Sequence, residues 1–193
     1  MQAAVCKSLI GPDGIVIEDL PVPEPGPGEA RVRVKAIGIN FLDTLITRGK
    51  YQHKPEPPFS PGAEIAGEID KLGDGVERFS PGQRICAYLG WGGAREYVIV
   101  REEQLIPLPE AVSYEVAAGI NVTYGTAIHG FKERGRLQAG ETVAVLGAAG
   151  GAGLAAVEVA KRLGARVIAV ASTPEKLDVP AARGGSSAEL HHD

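Results

Sequence analysis

The chain is poor in cysteine, in aromatic side chains, in basic excess and in long apolar runs. Its two cysteines, Cys6 and Cys86, stand in no Cys-x-x-Cys spacing. They read as core thiols in a reducing compartment, which excludes a disulfide framework or a cysteine-rich metal lobe. Aromatic residues make up 5% of the chain, too few for a base-stacking surface. Lys and Arg (20) are outnumbered by Asp and Glu (24), and the net charge is −4. With the basic residues scattered, nucleic acid and anionic membrane are excluded as main partners. No apolar run reaches membrane-spanning length, and no N-terminal apolar stretch carries a basic flank. The expectation is a cytoplasmic protein, and a hydrophobic content of 44% allows it a sizeable core.

What is present is glycine in a particular place. Val143-Ala-Val-Leu146 runs directly into Gly147-Ala148-Ala149-Gly150-Gly151-Ala152-Gly153, and Leu154 to Leu163 then reads as a helix. Strand, glycine turn and helix bring backbone N–H groups against a pyrophosphate. Leu154 and Ala155 follow the last glycine where a P-loop needs Lys and Ser/Thr, so a dinucleotide is the better fit. Glycines here allow positive φ and close approach of phosphate, and Gly153, Ala155 and Ala156 let the helix sit tightly on the sheet. The alternative is a tight βα loop with no ligand.

A second strand is expected at 166–171, completing β-α-β. An NAD site usually ends this strand in Asp or Glu, which binds the ribose 2′-hydroxyl. Here Ser172 and Thr173 follow, with Lys176 within a turn. These groups suit a 2′-phosphate, so NADPH is the expected cofactor. Ser172 or Thr173 also reads as an N-cap for a helix beginning at Pro174.

Upstream, residues 1 to about 110 read as many short strands punctuated by Gly and Pro, which favours a barrel or sandwich. Phe41 to Thr47 is a short helix ending at Gly49. Tyr114 to Arg134 is helix-compatible, broken by Gly119 and Gly125. A domain boundary is expected around 110–125.

Four segments carry a family resemblance: Asn40-Phe-Leu-Asp43 with Arg48-Gly-Lys-Tyr51, Pro61-Gly-Ala-Glu-Ile-Ala-Gly67, Gly73-Asp-Gly-Val76 with Phe79 and Gly82-Gln-Arg84, and the glycine turn. In this order they resemble the zinc-independent quinone oxidoreductase (zeta-crystallin-like) branch of the medium-chain dehydrogenase/reductases. The resemblance runs to about residue 178 and departs from the family pattern at Gln83, where the family has Asp. It implies a GroES-like β-barrel catalytic domain at 1–115, then the first part of a Rossmann NADP-binding domain at 116–178. Zinc-dependent relatives carry Cys at the position of Asn40 and His at that of Ala63. Ala63 has no donor atom and Glu64 alone makes no three-ligand site, so no zinc is expected.

The implied activity is hydride transfer from NADPH to a quinone or other conjugated carbonyl. A sister-branch enoyl thioester or alkenal reductase, and an inactive or merely nucleotide-binding chain, are the alternatives. Asn40 and Tyr51 are candidates to polarise the acceptor oxygen, and Asp43 to anchor the loop or relay a proton. Asn40 also reads as a helix N-cap, and Tyr51 as a packed loop aromatic. Asn121 to Ala127 resembles the helix beside the nicotinamide, which puts Thr126 at the ring; its alternative is a hydroxyl bonded to its own helix. Arg48 reads as a substrate or cofactor contact or a surface ion pair. His53, His129, His191 and His192 read as surface or loop residues.

Full-length members of the branch continue further and are implied to be homodimers. After Lys176-Leu-Asp178 a continuing helix is expected in the family. Pro180 and Gly184-Gly-Ser-Ser187 instead read as the start of a flexible non-family tail at 179–193 in a truncated chain.

Overall fold

The computed structural model describes residues 1–182 and 187–190. Two compact units divide the chain, Met1–Asn121 and Val122–Asp193.

The first unit begins with an antiparallel hairpin, β1 (Gln2–Cys6) and β2 (Ile15–Asp19). A five-stranded antiparallel sheet follows, built from β3 (Glu29–Gly38), β4 (Glu64–Leu72), β5 (Arg84–Tyr88), β6 (Tyr97–Arg101) and β7 (Ile106–Pro107) in the order β6-β3-β4-β5-β7. The outer strands β6 and β7 are joined only by residues 102–105, most of them in a tight 3₁₀ turn. A flat sheet of five strands would hold those edges about 19 Å apart, beyond what so short a connection reaches at ~3.5 Å per residue. The sheet therefore coils. Its inner face carries the core: Val32, Ile65, Ile69, Ile85, Ala87, Val98, Val100 and Leu105. Strand alternation explains the choice, since residues two apart point to one face. Each fully buried Ile contributes roughly 1.5–3 kcal/mol.

On the opposite face lie Glu64, Ala66 and Glu68 of β4, paired with Tyr88, Cys86 and Arg84 of β5. Helix α2 (Tyr114–Ala118) packs its Ala117 and Ala118 on Ala66 and Cys86. Tyr114 donates to Glu68 at 2.8 Å, and the Arg84 guanidinium lies 4.5 Å from the Tyr114 ring centre. These contacts tie α2 to the sheet, so the first unit extends beyond position 115 to Asn121.

The second unit holds α3 (Thr123–Ile128), which runs on into a wider turn at His129–Arg134. Gly125, expected to break a helix, lies inside α3; a mid-helix glycine costs only about 1 kcal/mol. Then come β8 (Thr142–Leu146), α4 (Gly151–Arg162), β9 (Arg166–Ala171), α5 (Pro174–Ala182) and β10 (Ser187–Leu190). The sheet is parallel, in the order β10-β9-β8. Val143 and Val145 of β8 share a face with Val167 and Ala169 of β9 and pack against α4 through Val157 and Ala160. The other face is open among the described residues, and Leu146 is 76% exposed there.

The end of the chain departs from the expected flexible tail. Pro180 sits inside α5 and is buried. It forfeits one helical hydrogen bond, but only two residues from the helix end, and its ring packs in return. Residues 187–190 pair in parallel with β9, which is therefore flanked on both sides. Positions 183–186 and 191–193, including His191 and His192, lie outside the described residues. Among the described residues no helix is long and apolar enough to cross a membrane.

Candidate functional site

Two clusters hold the residues singled out by sequence, one in each unit.

In the first unit, α1 (Phe41–Ile46) follows directly on the last residues of β3. Asn40 is its N-cap residue, in extended conformation. Asp43, in the first turn, is buried and uses both carboxylate oxygens on backbone. Oδ2 accepts from the Asn40 N–H at 2.8 Å, and Oδ1 from the Gly62 N–H at 2.9 Å. Of its two expected roles, this geometry fits the anchor: Asp43 caps a helix and fastens the loop before β4 to it. Asn40 and Asp43 form a capping box at the start of α1, and the Asn40 Nδ2 also donates to Glu64 Oε1 at 2.8 Å. Glu64, the first residue of β4, has no exposed surface.

Tyr51 is half-buried and packs against the small cluster of Cys6, Ile46 and Phe59. It therefore is a packed aromatic, while its ring continues a line of rings. The His53 ring centre lies 6.0 Å from that of Tyr51 and 6.4 Å from that of Trp91. Arg48 is exposed and donates to the Thr44 carbonyl at 2.9 Å.

Tyr88 was not singled out by the sequence. It stands directly opposite Glu64 across the β4–β5 pair. Its phenol is pushed above the usual range by burial, and further by the nearby acidic groups of Tyr51, Asp43 and Glu64. A phenol is protonated at neutral pH even at its ordinary value near 10, so this hydroxyl is able to donate a hydrogen bond. Strand register makes this neighbourhood, and register is not visible in a lone sequence.

In the second unit, the glycines divide the work unequally. Gly147 takes φ +65, a conformation that disfavours other residues. Gly150 caps α4 with φ −80 and has only ordinary contacts around the place of a β-carbon. Gly153 is needed for closeness: a β-carbon there would sit 2.2 Å from the Gly147 carbonyl oxygen and 2.8 Å from Ala148 Cα. Ala148 is buried, its N–H bonded to the Val170 carbonyl at 3.0 Å. The turn is thus fastened to β9, with Ala149 half-buried and Gly150, Gly151 and Ala152 exposed. The first N–H groups of α4, at Gly151, Ala152 and Gly153, have no carbonyl one turn back within the helix. No β-carbon obstructs Gly147, and Gly150 and Gly151 meet nothing nearer than 3.5 Å. This cradle fits a pyrophosphate.

Thr126 is exposed on α3, which packs on α4 through Ala127, Ala155 and Val159. Thr123, missed by sequence reasoning, begins α3, and its Cγ2 lies 3.6 Å from where a Gly151 β-carbon would be. After β9, Lys176 Nζ donates to Ser172 Oγ at 3.1 Å, so these two candidates meet. Helix α5 starts at Pro174, which gives Ser172 and Thr173 the N-terminal position expected of them. Glu175 is exposed there, and its carboxyl is held below the usual range by its own backbone N–H and by the Thr173 hydroxyl.

With both clusters described, the class of the protein follows. Residues 26–110 match the alcohol dehydrogenase GroES-like domain family. The chain is 41% identical over 187 residues to quinone oxidoreductase-like protein 2 of Rattus norvegicus, covering 96% of this chain and 53% of that protein. Its fold superposes on a probable oxidoreductase from Mycobacterium abscessus with a TM-score of 0.93 at 39% identity, covering 100% of this chain and 62% of that one. It superposes likewise on the quinone oxidoreductase from Thermus thermophilus, solved also in complex with NADPH, with a TM-score of 0.87 at 42% identity, covering 97% and 59%. Residues 26–110 thus carry the alcohol dehydrogenase GroES-like domain, and nearly the whole chain is similar to part of the quinone oxidoreductases. It spans about half the length of the curated relatives it matches.

Proposed function

We propose that this chain carries the acceptor-binding and phosphate-binding parts of an NADPH-dependent reductase of quinones or other conjugated carbonyls. The observation that carries this reading is the glycine cradle at 147–153, opened by Gly147 and closed up by Gly153. NADPH supplies the hydride; the protein binds, orients and donates hydrogen bonds. The N–H groups at the start of α4 receive the pyrophosphate. Ser172 and Lys176 receive the 2′-phosphate, and Thr126 and Thr123 lie on the helix beside the turn. Asn40 offers an amide N–H to the carbonyl oxygen as negative charge develops on it, in the role of an oxyanion donor. Tyr51 and Tyr88 add phenol groups to the same cluster.

This assignment is supported by the NADPH complex of the Thermus relative and the names of the other relatives. The test is NADPH oxidation with a simple quinone, run beside NADPH binding followed by cofactor fluorescence. Turnover supports the reading. Binding without turnover favours a nucleotide-binding protein, and turnover with an enoyl thioester but no quinone moves the chain to the sister branch.

A further inference from the structure

Glu64 raises a question that its packing does not answer. A carboxylate with no exposed surface is costly to bury, and an apolar residue of similar size would fill the space more cheaply. The surroundings are nevertheless shaped to admit it. At Gly38, the last residue of β3, a β-carbon would lie 2.6 Å from both Glu64 Cγ and Oε1. The nearest atom to that place is the Ala118 carbonyl oxygen, at 2.2 Å, so the glycine first admits α2 and then leaves room for the carboxylate. In that position Oε1 accepts the Asn40 Nδ2–H at 2.8 Å.

Asn40 is thereby fixed twice. Asp43 holds its backbone N–H at 2.8 Å, and Glu64 holds its side-chain amide. A carboxylate oxygen accepts hydrogen bonds, so the –NH2 end of the amide faces Glu64, not the carbonyl end. The –NH2 group is planar and has two hydrogens. With one committed to Glu64, the other is held in the amide plane, directed away from that bond.

We propose that Glu64 is a positioning residue: it orients the Asn40 amide so that the second N–H is presented to the oxygen of the acceptor carbonyl. This role rests on the reading of Asn40 as the donor. It explains a buried carboxylate and the direction of the Asn40 hydrogen bond together. Tyr88, opposite Glu64 on β5, is the neighbouring phenol of the same face.

The experiment compares Glu64→Ala, Glu64→Gln, Asn40→Ala and the Asn40→Ala/Glu64→Ala pair in the whole chain, with NADPH and a simple quinone. Removing an oxyanion donor outright costs about a hundred- to a thousandfold in kcat, so misdirecting one costs less than that. Glu64→Ala is expected to lower kcat about tenfold or more with NADPH affinity unchanged. Glu64→Gln, which still offers an acceptor oxygen, recovers most of the loss. The double variant is no slower than Asn40→Ala alone. A Glu64→Ala loss that is equally large in the Asn40→Ala background overturns the proposal, as does an unchanged kcat.

A second readout needs no turnover. The Asn40 side-chain amide protons are followed by ¹⁵N-edited NMR. Glu64→Ala is expected to move the bonded proton upfield, and Glu64→Gln to restore it in part. An unmoved resonance overturns the proposal even in a chain that reduces nothing, whereas absent turnover alone counts against the reductase reading. Should Glu64→Ala fail to fold, Glu64→Asp serves in both assays, because its shorter side chain withdraws the acceptor and keeps the charge.

Discussion

The Tyr124 hydroxyl donates to the Glu158 carboxylate at 2.5 Å, joining the first turn of α3 to the middle of α4. Tyr124 packs there against a seam of small side chains, Ala127, Ala155 and Val159. Tyr124→Phe keeps the ring and deletes the donor to a charged acceptor. It is expected to destabilise the second unit by about 1.5–3 kcal/mol. Denaturant unfolding, followed by hydrogen exchange in α3 and α4, checks this; exchange in the first unit stays as it was.

The two glycines of the turn respond differently to a methyl group. Gly153→Ala drives a β-carbon into the Gly147 carbonyl and is expected to cost about 1–3 kcal/mol. With the turn pushed open, NADPH affinity falls at least about tenfold, a change of about 1.4 kcal/mol. Gly150→Ala meets only an ordinary contact and costs no more than about 1 kcal/mol, as a cap substitution. Equal losses from both, measured by thermal unfolding and cofactor titration, contradict the assignment of close packing to Gly153.

Asp43 fastens two segments with one side chain. Asp43→Ala leaves the buried Gly62 N–H without its acceptor and removes the cap of α1. The expected cost is about 1–3 kcal/mol for the orphaned donor alone. Asp43→Asn has one carbonyl oxygen where two are used, and should fall between alanine and wild type in chemical unfolding.

Lys176 is expected to separate the two nicotinamide cofactors. Lys176→Ala removes a cation from beside Ser172 and leaves the nearby Glu175 charge in place. NADPH affinity is expected to drop about tenfold, the scale of a charge-assisted phosphate contact, while NADH changes by less than about twofold. Paired titrations decide it; equal effects on both cofactors remove Lys176 from the 2′-phosphate site.

The Glu68 carboxyl is held below its usual range first by the Tyr114 hydroxyl and then by Lys35. A depressed carboxylate contributes stability above its unfolded pKa, about 4.3 for glutamate, and loses it as pH falls through the folded value. Tyr114→Phe should therefore be less stable than wild type at neutral pH, with the gap narrowing as pH drops below about 4. Urea unfolding at several pH values reads the difference directly; a gap that widens in acid reverses the sign.

The β-α-β segment was legible almost to the residue because its signals are local. An apolar run, a glycine cluster and an alanine-rich helix need no partner to be recognised, and Pro174 marks the start of α5. Asp43 was legible as an anchor because a capping position is set three residues from Asn40. Glu64 and Tyr88 were not: they meet only through the register of β4 and β5, which a sequence leaves open. Gly125 and Pro180 misled because a breaker's cost is weighed against tertiary packing. Gly125 lies exposed within α3, and Pro180 is buried near the end of α5. The strand at 187–190 could not be anticipated from a Gly- and Ser-rich stretch whose pairing partner, β9, is itself an ordinary strand.

Trp91, flanked by Gly90 and Gly92 at positive φ, is the chain's single tryptophan. It belongs to the first unit, and the phosphate cradle to the second. Tryptophan emits where the reduced nicotinamide ring absorbs. Energy transfer from Trp91 to NADPH at the proposed cradle would therefore act as a built-in optical ruler, with no label attached and no substrate consumed.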